Sequence, residues 1–148
     1  MLTKNQFEAL SEFRYQLKRF LHFSEAAAKE QGLTPLQYLL LLHIQGYPGR
    51  NWATVGELAE RLQMNHNAAV ALLTRCEELK LVERRKNEKD RRKVEIHLTA
   101  MGDSYLQKLA QQHKTELQSL QKTFQVAQIT AFNEDQETTN DEKKISND

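Results

Sequence analysis

The sequence predicts a mainly α fold of the α+β kind, a winged helix-turn-helix with a two-stranded β wing set between two long helices. Three observations predict it. Two short helical segments, each with its own start signal, follow one another within residues 54–79 and are joined by about three residues without proline. Straight after them, "LVERR" and "KVEIHL" alternate apolar with polar positions, as half-buried strands do. Apolar residues at helical spacing run through residues 4–30 and again from 99 to about 126.

The elements follow in order. In the first helix Phe7, Leu10, Phe13, Leu17, Phe20 and Leu21 share one face, and Gly32 stops it. In "LTPLQYLLLLHIQGYPG", Thr34 caps a second helix, Pro35 takes its first position and Gln37 completes a capping box. Gly46, Pro48 and Gly49 end it. Thr54 and Glu57 repeat the box for a short third helix with Leu58, Ala59 and Leu62 on its apolar face. Asn65 is the natural cap of the fourth, whose expected buried face is Val70, Leu72, Leu73, Cys76 and Leu79.

The strands come next. Val94, Ile96 and Leu98 fall on one side of the second, Lys93, Glu95 and His97 on the other. The tip between the strands, "KNEKDR", holds the turn formers Asn87 and Asp90. Thr99 caps the last helix, with Asp103 in its first turn and Leu106, Leu109, His113, Leu117, Leu120 and Phe124 along one face. These elements predict one domain over residues 1–132, with a lobe at about 34–98 and its wing at 81–98. Apolar residues nearly vanish beyond that, so 133–148 is expected to be a disordered polar tail.

Composition narrows the function classes. A lone cysteine, Cys76, excludes an intrachain disulfide and a multi-cysteine metal site. The five histidines show no i, i+4 pairing with each other, so no metal is expected. No glycine-rich phosphate loop, nucleophile–base arrangement or carboxylate pair suggests an enzyme, and no catalytic residue or cofactor is assigned. The start, "MLTKNQFEALSEFRYQL", is charged throughout, and the most apolar run, "LQYLLLLHI", is about half a membrane span. A soluble cytoplasmic protein without membrane contact is therefore expected.

Net charge is only +1, but its distribution is uneven. Residues 84–93 hold seven basic side chains against Glu88 and Asp90, a net +5, whereas residues 134–148 hold six acids and two lysines. A basic hairpin tip on a near-neutral protein points to a local anionic partner. In a helix-turn-helix the second short helix enters the DNA major groove, and its first residues meet base edges. Here that stretch is Asn65, His66, Asn67, Ala68, Ala69 and Val70. Asparagine can pair bidentately with adenine, and small apolar groups can touch a thymine methyl. The candidate recognition residues are Asn65, His66, Asn67, Ala68, Val70, Thr74 and Arg75, with Thr54 supporting the motif as a cap. The wing candidates are Arg84, Lys86, Lys89, Asp90, Arg91 and Arg92. Arg92 suits a narrow minor groove, and Asp90 two residues before it can preorganise the guanidinium through a charge-assisted hydrogen bond.

The run "TVGELAERLQMNHNAAVALLTRCEELKLVERRKNEKDRRKVEIHLTAMG" resembles the MarR (multiple antibiotic resistance regulator) family of bacterial transcription factors. Its most specific part is the basic wing with Asp-Arg-Arg, followed by a strand and "LT..G", with Gly102 at the family's glycine. The resemblance implies a recognition helix starting at Asn65 and an Asp90–Arg92 wing pair, with Arg92 in the minor groove. It also implies that the long helices, about 4–31 and 99–126, form a homodimer on a pseudo-palindromic operator. An apolar helical face that a small domain cannot cover asks for a partner chain on physical grounds too. Two features depart from the family. Lys80 stands where many members have glycine, which points to a different turn, and the C-terminus fades into a polar tail.

Family resemblance further implies a small aromatic or anionic effector, lodged where the dimer helices meet the DNA-binding lobe. Phe13, Phe20, Phe23, Tyr38 and Leu42 are the candidates for that pocket, although aromatics at helical spacing are ordinary core residues as well. Cys76 falls on the buried face of its helix, where a thiol is inert. The sequence thus reads as a dimeric DNA-binding regulator, a ligand-responsive repressor in its most specific form. The alternative is a winged-helix module that binds protein instead of DNA, which would call for an apolar recognition face and a weak wing.

Overall fold

A computed structural model describes residues 1–122. The order of elements is α1 (Lys4–Glu30), α2 (Pro35–Gln45), β1 (Trp52–Ala53), α3 (Val55–Leu62), α4 (His66–Glu78), β2 (Val82–Lys86), β3 (Val94–Leu98) and α5 (Ala100–Lys122). The wing is part of an antiparallel sheet of three strands, ordered β1-β3-β2. Val82 pairs with Leu98 and Lys86 with Val94 across the hairpin, while Trp52 pairs with His97 on the other edge. The expected tail at 133–148 and the last residues of the expected final helix, 123–126, lie outside the described residues.

The helix starts are built by local hydrogen bonds. Thr34 and Thr54 each accept from the backbone three residues on, and Gln37 and Glu57 reach back to complete both capping boxes. A third box at Thr3 and Gln6 opens α1. Asn65 caps α4 by accepting from the Ala68 amide at 2.8 Å.

Three helix ends share one solution. α1, α3 and α4 close in Schellman turns, with the left-handed position at Gly32, Gln63 and Lys80. For α4, Lys80 N–H donates to Glu77 at 2.9 Å and Leu81 N–H to Cys76 at 3.0 Å. The turn is thus the one glycine normally makes, with lysine forced to φ 60°. The different turn expected from Lys80 does not occur, because the two backbone bonds outweigh the strain.

The described residues divide into two units, residues 24–112 and residues 1–23 with 113–122. In the first unit, Leu40, Leu41 and Ile44 of α2 sit in one core with Leu58, Leu73, Cys76, Leu81, Ile96, Leu106 and Leu109. Each such side chain contributes about 1.5–3 kcal/mol by leaving water. Leu79, expected in the buried face of α4, is exposed, because the helix ends there and the chain turns away. Gly102 is the tightest point: a Cβ there would lie 2.0 Å from the Leu81 carbonyl oxygen. That oxygen accepts from Thr99 N–H, and the Thr99 hydroxyl donates to the Lys80 carbonyl at 2.6 Å. The start of α5 is therefore pinned to the root of the wing by main chain.

In the second unit, the ring of His113 meets Phe20 and Phe23 edge-on at 5.8 and 5.5 Å. Phe7, Leu10, Tyr15, Leu17 and Leu21 of α1 stay exposed in the single chain, as does Leu117 of α5.

Candidate nucleic-acid interface

The link between α3 and α4 is three residues, 63–65, as the helix-turn-helix reading requires. α4 buries Ala69, Leu73 and Cys76 and half-buries Val70 and Leu72. Its opposite face exposes His66, Asn67, Ala68, Ala71, Thr74 and Arg75. Asn65 uses its side-chain oxygen on the cap, and Arg75 bonds Glu78 one turn on at 3.3 Å. Burial pushes the Cys76 thiol up to about 11, Arg75 opposing weakly, so it is a thiol and not a thiolate at neutral pH.

The wing separates its cations into two sets. At the root, Arg84 bonds Glu77 of α4 at 2.7 Å, and Arg85 bonds Glu83 on its own strand. Toward the tip, Lys86, Lys89, Arg91 and Lys93 are exposed and have no ion-pair partner among the described residues. Arg92 is held by Asp90, whose Oδ1 accepts from both its backbone N–H, at 3.1 Å, and its Nε, at 3.2 Å. These two bonds hold the Asp90 carboxyl below the usual range, the side-chain bond first. The Arg92 side chain is 92% exposed, so the pair adds little to stability and serves to orient the guanidinium.

Two further groups support this surface. His97 stacks on Trp52 of β1 and bonds the Glu95 carboxylate at 2.9 Å. That bond leads the causes that lower the Glu95 carboxyl; burial opposes it, and a bond from Asn87 reinforces it. The Arg50 guanidinium lies 3.9 Å from the Trp52 ring centre and 4.3 Å from that of Tyr47, and it pairs with Glu57. Burial pushes the Glu57 carboxyl up. Hydrogen bonds from Tyr47 and Thr54 and the charge of Arg50 outweigh it and bring the group down to about 2. Sequence periodicity did not point to this cluster, because Arg50 sits in an irregular turn and Trp52 in a strand of two residues. The only signal was local, an arginine between two aromatics in "YPGRNW".

Of the effector-pocket candidates, Phe13, Phe20 and Phe23 belong to the second unit and are half-buried. Tyr38 is buried in the core of the first unit, where Leu42 also packs. Among the described residues, no helix is long and apolar enough to cross a membrane.

With this geometry in place, the sequence profile of the MarR family matches residues 31–93. Residues 31–93 of the chain are thus similar to the MarR family. The family is one of transcription regulators, not enzymes. The repressor MdtR of Bacillus subtilis, of the helix-turn-helix type, is 33% identical over 75 residues, which are 51% of this chain and 46% of that protein. This chain's match thus spans about half the length of that relative. YsmB of the same organism, a helix-turn-helix transcriptional regulator, is 26% identical over 122 residues, 78% of this chain and 83% of that one. Two solved structures share the fold. A Staphylococcus aureus MepR variant bound to an oligodeoxyribonucleotide has TM-score 0.61 at 21% identity, covering 91% of this chain and 94% of that one. NadR in complex with 4-hydroxyphenylacetate has TM-score 0.67 at 16% identity, covering 82% and 84%.

Proposed function

We propose that this chain is a homodimeric, sequence-specific DNA-binding repressor of the MarR family whose affinity for DNA responds to a small aromatic or anionic ligand. One observation carries the DNA reading. The capped, polar start of α4 and a basic wing, whose Arg92 is already oriented by Asp90, belong to the same small lobe. His66, Asn67, Ala68, Thr74 and Arg75 are then the residues that meet the major groove. Asn65 and Thr54 serve by capping the two helices. Val70, half-buried, backs the recognition face. Arg92 enters the minor groove, and Lys86, Lys89 and Arg91 meet phosphates. Arg84, engaged with Glu77, fastens the wing to α4.

The exposed apolar face of α1 and Leu117 of α5 support the homodimer, which would place two recognition helices on a pseudo-palindrome. The repressor MdtR and the ligand-bound NadR support the finer reading of repression and ligand response. Phe13, Phe20 and Phe23 of the second unit remain the proposed ligand-contacting residues, while Tyr38 and Leu42 serve the core of the first unit. A protein-binding module finds no support in α4, whose outward face is polar.

The test is selection of duplexes from a random library by the full chain, followed by fluorescence anisotropy on the selected sequence at several salt concentrations. Steep salt dependence is expected. Arg92→Ala should weaken binding by about 1–3 kcal/mol, and Asn67→Ala should relax the sequence preference more than it lowers affinity for unrelated DNA. If no sequence is enriched and no duplex binds at low salt, the proposal is wrong.

A further inference from the structure

We infer that Asn87 and Glu95 are positioning residues for DNA recognition, a two-residue strut that runs from the sheet into the wing tip and sets the direction of Arg92. The inference rests on the proposed contact between the wing and DNA.

The tip, residues 87–93, is exposed and polar, and Asn87 alone in it is half-buried. Two backbone bonds close it, Asn87 N–H to the Lys93 carbonyl and Lys93 N–H to the Asp90 carbonyl, both 3.0 Å. A loop so thinly bonded would sample many conformations and lose entropy on binding. The side chain of Asn87 removes that freedom from both ends. Its Oδ1 accepts from the N–H groups of Lys89, at 3.0 Å, and Asp90, at 2.9 Å. Its Nδ2 donates to Glu95 Oε2 at 2.6 Å. Glu95 stands on β3, opposite Arg85, and its other oxygen bonds His97, which stacks on Trp52. The line from Trp52 through His97, Glu95 and Asn87 thus ends on the residue that holds Arg92, Asp90. A carboxamide suits position 87 because it accepts toward the tip and donates toward the sheet. Aspartate lacks the donor, and serine has one oxygen on a shorter arm.

Electrostatics sharpens the point. A carboxylate at the base of a wing that meets phosphates works against binding. On charge alone, removing Glu95 would strengthen the complex. As a strut, removing it weakens the complex.

The experiment measures the dissociation constants of wild type, E95A, E95Q, N87A, R92A and the double variant E95A/R92A on the duplex selected by the wild-type chain. Thermal melts check each fold. E95A and N87A should bind roughly three- to tenfold more weakly. E95Q keeps an acceptor for Asn87 and should bind as wild type or better. E95A should cause no further loss in the R92A background, since Glu95 acts through Arg92. E95A binding as tightly as wild type or tighter overturns the inference, as does an equal loss from E95A in both backgrounds. If E95A fails to fold, N87A decides: undiminished binding overturns the inference. R92A binding like wild type takes down the wing reading itself and this inference with it, so the two failures are told apart.

Discussion

Replacing Gly102 by alanine sets two ordinary effects against each other. In an exposed helix interior the change stabilises by about 1 kcal/mol, because glycine is the poorer helix former. Here the new Cβ would stand 2.0 Å from the Leu81 oxygen and 3.0 Å from its carbon, whereas ordinary contact begins at 3.4 Å. The obstacle is backbone, so no rotamer relieves it. The start of α5 and the root of the wing must part by about 1 Å. That opens the bonds from Thr99 to the carbonyls of Leu81 and Lys80. Each is worth about 1 kcal/mol net, and overpacking adds about 1–3 kcal/mol. Against the helical gain, the expected net loss is about 2–4 kcal/mol. Urea unfolding followed by circular dichroism should show the midpoint lowered by roughly 1–2 M. An unchanged or raised midpoint would refute the reasoning, since it would mean that the close approach has slack.

Two other predictions concern stability. Lys80→Gly should raise the unfolding free energy by about 0.5–1 kcal/mol, the left-handed strain relieved less the added freedom of the unfolded chain; a lowered urea midpoint would contradict it. Glu57 titrates near 2 in the fold against an ordinary 4.5, so its stabilisation is fully present above pH 4.5 and is lost as pH falls toward 2. Glu57→Gln should therefore cost about 2 kcal/mol at pH 7 and nothing near pH 2. Melts that show the same gap at both ends would exclude the ionic origin.

Short-range signals were legible in the sequence and long-range ones were not. Thr34, Thr54 and Asn65 announced their helices because a cap bonds within three residues. The wing hairpin was legible for the same reason, as its strands are neighbours in sequence. β1 was not: two residues carry no period, and its partner on β3 lies more than forty residues away. The Asp90–Arg92 bond could be foreseen from spacing, whereas the link from Asn87 to Glu95 depends on the hairpin register. Gly102 could be named as part of a motif, but its cause, the Leu81 carbonyl, appears only in three dimensions.

The fourth helix lies between Gln63 and Lys80, two residues that hold left-handed backbone without being glycine, at φ 54° and 60°. Each position costs the native chain about 1–2 kcal/mol. Opening either turn returns that energy. The Met64 amide, which closes the first turn beside exposed residues, should accordingly exchange with solvent ahead of those in the helix interior, whereas the buried Leu81 keeps the second turn protected. The strain of this helix thus sits at its two ends and not in the polar face that it turns outward.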